Sequence, residues 1–138
     1  MKLLSSFGAG LLSILFSLAP LAVTADTQPP AEVQAAVRYL IEYVSESDRT
    51  FIRNAHEYRS ADAAEHMQRK YEHFRDRIHT VDDFIELAAS RSLASGKPYL
   101  VVGQSGSTIP TADWLREVLA THCSLATKSD GSTPKCPD

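Results

Sequence analysis

The strongest constraint on what this chain can fold into lies at its start. Leu3 to Ala22 carries no charge and is rich in Leu, Ile, Phe and Ala. It follows a single positive residue, Lys2, and runs into the small residues Val23, Thr24 and Ala25. A positive start, an apolar stretch and a small-residue exit make up a cleavable secretory signal. An apolar run of about 20 residues also suits a membrane span, but Pro20 and the small-residue exit favour cleavage. Residues 1–25 are therefore expected to direct export and then be removed. The chain that remains starts at Asp26, is periplasmic or secreted, and has no stable membrane insertion.

What is left to fold is 113 of the 138 residues, one domain's worth. The leader holds only Lys2 of the 14 basic residues and none of the 17 acidic ones, so the remainder has 13 against 17, a balance of −4. Nucleic acid is thereby excluded as a partner, because its affinity rests on clustered Lys and Arg. Both cysteines, Cys123 and Cys136, fall in the exported part, where thiols tend to pair. A Cys123–Cys136 disulfide is expected, tethering a polar tail, residues 126–138, to a domain formed by residues 26–125. A redox pair is the alternative, but the wide spacing does not suit it.

Val33, Ala36, Val37, Leu40, Ile41 and Val44 recur at three and four residues, which predicts a helix after Pro30. Ser47 to Thr50 breaks the period. Phe51-Ile52-Arg53 and a second piece around Glu57-Tyr58 then read as a small hairpin with Asn54 in its turn. Ser60 is expected to cap a long helix burying Ala64, Met67, Tyr71, Phe74 and Ile78. Thr80 with Asp83 forms a capping-box pattern opening a helix that buries Phe84, Ile85, Ala88 and Ala89, ending near Ser90 to Ser95. Tyr99 to Val102 reads as a strand, Gly103 to Gly106 as a turn and Ser107 to Ile109 as its partner. Thr111 is expected to cap a last helix carrying Trp114, Leu115, Val118 and Leu119 and running to Cys123. About four helices with a small antiparallel sheet of short strands make this an α+β fold.

Five stretches carry a family resemblance: Phe51-Ile52-Arg53-Asn54, Ala63-Ala64-Glu65-His66 with Lys70, Arg77-Ile78, Phe84-Ile85, and Ser95-Gly96-Lys97-Pro98-Tyr99. Together they resemble the YfeK-like family of small exported bacterial proteins of unknown function. The likeness runs from Phe51 to Val102 and departs at Ala55, where Gly is expected after Arg-Asn. It implies export and a single domain, and brings no catalytic residues with it.

His66 and His73 share a helical face, but two turns separate them by about 10 Å, and the cations Arg69 and Lys70 lie between them. No metal site and no cofactor is expected, since zinc needs three or four converging ligands. Gly103-Gln104-Ser105-Gly106-Ser107 lacks the second Gly of a nucleophile elbow, and no helix starts after its serine. The remaining constellation is Arg53 and Asn54 on the hairpin, His66 and Lys70 one turn apart, and the loop with Ser90, Ser92, Ser95 and Gly96. As one cleft, Arg53, Asn54, His66, Lys70, Ser92 and Ser95 would offer charge and hydrogen bonds to a small anionic or carbohydrate-like ligand. The purely structural alternative pairs Arg53 with a carboxylate, bonds His66 to backbone and uses the serines as helix caps. No catalytic set assembles from sequence. The expected protein is thus a soluble, non-enzymatic exported domain that binds an envelope protein or a small ligand. The alternative is a small cell-envelope hydrolase using His66, Arg53 and the serine loop.

Overall fold

The computed structural model describes residues 28–130, and the side chains of residues 28–125. The expected leader, residues 1–25, lies outside them. Helix α1 spans Ala31–Glu46 and buries Val33, Val37, Leu40 and Val44, with Ala36 and Ile41 packed at the edge of the core. Ser47 ends it by turning both its N–H and its hydroxyl onto the Val44 carbonyl. Asp48, at φ 51°, then redirects the chain into strand β1, Thr50–Arg53.

Strand β1 pairs antiparallel with β2, His56–Arg59, across a two-residue turn in which Asn54 and Ala55 have φ 53° and 65°. Positive φ at both central residues is the type I′ arrangement, whose right-handed twist suits a hairpin. Asn tolerates that region, whereas the Ala55 Cβ meets the following carbonyl oxygen at a cost of about 1–2 kcal/mol. Ala55→Gly is expected to raise stability by about 1 kcal/mol, read as a higher midpoint in urea with unchanged slope. A lower midpoint would show that the turn does not hold this conformation.

Helix α2, Ser60–Phe74, starts straight from β2 with no loop between them. Arg59, still extended, therefore occupies the N-cap position in place of Ser60. The expected Ser60 cap is corrected accordingly: its hydroxyl turns inward and donates to the Ser45 carbonyl of α1 at 3.1 Å. The Thr80–Asp83 capping box is formed as expected, opening α3, Val81–Phe84. That helix widens into a π turn, Ile85–Ala89, which buries Ile85, Ala88 and Ala89 before ending at Ser90.

Strands β3, Leu100–Val102, and β4, Thr108–Pro110, complete a four-stranded sheet in the order β2-β1-β3-β4, with every pairing antiparallel. The register aligns Tyr58, Phe51, Val101 and Ile109 in one row across the four strands, and all four pack into the core. The expected α+β fold of four helices and a small antiparallel sheet is what the structure shows.

Helix α4 spans Thr111–Asp130. Thr111 does not cap it as expected: its hydroxyl is fully buried and, among the described residues, has no hydrogen-bond partner. Its N–H goes back to the Tyr99 carbonyl, fixing the helix start against β3. The expected start of the tail at residue 126 is also corrected. The helix continues unbroken past Cys123 to Asp130, where a non-helical tail tied back through a Cys123–Cys136 bridge was expected. Cys136, and with it the expected Cys123–Cys136 bridge, lies outside the described residues. Among the described residues no helix is long and apolar enough to cross a membrane.

Candidate functional site

Strand alternation puts Arg53 on the same face of β1 as the buried Phe51, and so toward the helices. There it meets His66, one turn before Lys70 on α2. Arg53 Nη1 lies 3.1 Å from His66 Nδ1 and 3.2 Å from Nε2. Its Nη2 donates to the Tyr58 hydroxyl at 3.1 Å, and the guanidinium carbon sits 4.8 Å from the centre of that ring. His66 Nε2 is also 3.1 Å from the Tyr99 hydroxyl, with the two rings edge to face.

A guanidinium can only donate hydrogen bonds, so the imidazole nitrogen it meets must carry no proton. His66 is accordingly held as the neutral base. Burial first, then the charges of Arg53, Lys70 and Arg69, push its pKa down to about 4. In the unfolded chain it would protonate near the ordinary value of about 6.5. Between those two values the unfolded state holds more protons, so the contribution of His66 to stability falls as pH drops through that window.

Lys70 is 7% exposed, and its pKa falls to about 8 through burial and then the charge of Arg53. Its ammonium donates to the Arg91 carbonyl at 3.0 Å and lies 5.1 Å over the Tyr99 ring. The π turn sets up this contact by ending at Ser90. The carbonyls just beyond it then take up the Tyr99 N–H, on Ser90, and the Lys70 ammonium, on Arg91. Burial raises the Tyr99 hydroxyl above its usual pKa, against the opposing pull of Arg53.

The two carboxylates at the rim are engaged elsewhere, Asp62 with Arg59 and Glu65 with Arg69. Among the described residues neither Arg53 nor Lys70 forms an ion pair with a carboxylate. Beside Arg53 opens a cavity of about 350 Å³ lined by Phe51, Ile52, Tyr58, Ala63, His66, Met67 and Tyr99, with Asp62, Glu65 and Arg69 around it.

The six residues singled out from sequence fall into separate groups. Arg53 and His66 share the cavity. Lys70 is buried behind Tyr99. Asn54 joins the serine loop, its amide donating to Ser92 Oγ at 3.4 Å and its carbonyl oxygen accepting from Ser95 Oγ at 2.5 Å. That contact pins the hairpin tip to the loop. The purely structural alternative fails at two points, since Arg53 has no carboxylate and His66 bonds to side chains; it holds for Ser90, whose hydroxyl donates to the Glu86 carbonyl. Sequence reasoning missed Tyr58 and the hydroxyl of Tyr99. The one available signal was Tyr58 two residues beyond the turn-closing His56, on the face that Arg53 also occupies.

The profile of a family of unknown function (DUF5329) matches residues 31–123. The uncharacterized protein YfeK of Salmonella typhimurium is 40% identical over 52 residues, which are 38% of this chain and 43% of that protein. The match therefore spans less than half of that relative. It supports the family likeness read from the sequence. No solved structure matches.

Proposed function

The chain belongs to the DUF5329 family, whose function is unknown, and from its geometry we propose that it is an exported, non-enzymatic domain that binds a small anionic ligand at Arg53. One observation carries this reading: a guanidinium opens onto a cavity while every nearby carboxylate is paired with another cation. A partly buried cation without a counter-charge is costly, and an anionic ligand supplies what the fold withholds. Export rests on the leader expected from sequence at residues 1–25.

The hydrolase reading gains nothing from this arrangement. Nucleophilic catalysis needs a hydroxyl within reach of a base. Ser92 and Ser95 bond to Asn54, and the hydroxyl that does reach His66, that of Tyr99, is held above its usual pKa. That is the reverse of an activated nucleophile.

Thermal unfolding at constant ionic strength tests the proposal, with benzoate set against the neutral sugars glucose and N-acetylglucosamine. Benzoate is expected to raise the midpoint in step with the logarithm of its concentration, because a ligand at 100 times its Kd adds about 2.7 kcal/mol. The sugars are expected to leave it unchanged. A shift with sugars and none with benzoate would overturn the proposal.

A further inference from the structure

We infer that the ligand is a monocarboxylate with an apolar tail, its head on Arg53 and its tail against Phe51, Ala63 and Met67. This rests on the reading of Arg53 as an anion site and adds the class of anion. The charge offered at the cavity is single. His66 is neutral above about pH 4, and the Lys70 ammonium is directed to the Arg91 carbonyl. One guanidinium matches one carboxylate, in the planar, two-bond geometry that suits this pair. A doubly charged phosphate or sulfate would leave half its charge uncompensated in a partly buried site.

Arg53 also has donors to spare. Its five N–H groups are shared among His66, Tyr58 and Tyr99, and the hydroxyls of Tyr58 and Tyr99 flank the same point. Phe51, Ile52, Ala63 and Met67 make the rest of the wall apolar, apart from Asp62, Glu65 and Arg69, which are held in ion pairs. At about 350 Å³ the cavity is larger than a bare carboxylate needs and sits at the low end of small-ligand pockets, about 300–1,000 Å³. A short or medium aliphatic chain fits that volume, and a long lipid chain does not.

Titration calorimetry on the protein at constant ionic strength decides this, with acetate, butanoate, hexanoate, octanoate, octanol, sulfate and the peptide Ala-Ala-Ala-Leu. Each added methylene is expected to tighten Kd about fourfold until the cavity is full. Octanol and sulfate are expected to bind at least tenfold more weakly than octanoate. Equal affinity for acetate and octanoate, or tighter binding of sulfate, would overturn the tail while leaving the anion site standing. Octanol equal to octanoate would overturn the anion site as well. Tighter binding of the peptide than of hexanoate would reassign the site to a protein chain end and overturn the inference. Ala63→Leu, which fills the apolar end, is expected to weaken octanoate at least tenfold and acetate by no more than about twofold. If that variant does not fold, the chain-length series on the unaltered protein still decides.

Discussion

Phe84→Ala is expected to lower stability by about 3–5 kcal/mol, because a large side chain leaves a cavity that its neighbours only partly fill. Phe84 is fully buried at the end of α3, where the helix widens into the π turn. Its ring meets Tyr71 of α2 edge to face, with centroids 5.9 Å apart. Its loss therefore loosens the contact between α2, which carries His66 and Lys70, and the turn that leads to the Arg91 carbonyl. A domain of this size has about 5–15 kcal/mol in total, so the variant stands near its unfolding threshold. Its thermal midpoint should fall by about 15–25 °C. Leu93→Ala is the control: Leu93 is 67% exposed, and the change should stay within about 0.5 kcal/mol. A small shift for Phe84→Ala would place the core elsewhere.

Arg53→Gln is expected to weaken carboxylate binding at least tenfold while leaving the fold intact. A hydrogen bond to a charged group contributes about 1.5–3 kcal/mol, and Gln keeps a donor for the Tyr58 hydroxyl but supplies no charge. Stability should change little or rise slightly, since the substitution removes a cation that has no carboxylate beside it. A purely structural Arg53 would show the opposite pattern, with stability lost and affinity unchanged in the fraction that folds.

Much of the fold was legible because its signals are local. The three- and four-residue spacing of Val33 to Val44 and the Thr80–Asp83 box each depend on neighbours within one or two turns. What escaped depends on distant partners. Ser60 has the right chemistry for a cap, but β2 runs directly into α2, and a carbonyl of α1 takes its hydroxyl. The polar residues after Cys123 suggested a tail, yet none of them breaks a helix already under way to Asp130.

The site divides along the same line. Arg53 stood out as a charged residue on the hairpin and His66 as a helix residue one turn from Lys70. Asn54, Ser92 and Ser95 looked like part of the same cleft, because composition cannot tell a ligand-binding amide from one that ties a hairpin tip to a loop. The hydroxyl of Tyr99 was invisible because its ring alone justifies burial. Only the pairing of β1 with β3, a contact between strands far apart in sequence, brings it to His66.

The titration of the His66 imidazole, followed by NMR in the unaltered protein and in Arg53→Gln, tests the uncompensated guanidinium most directly. The geometry predicts a pKa of about 4 in the unaltered protein and a higher one in the variant, still below the ordinary value because burial remains. Titration near 6.5 in the unaltered protein, or a value that does not move in the variant, would contradict it.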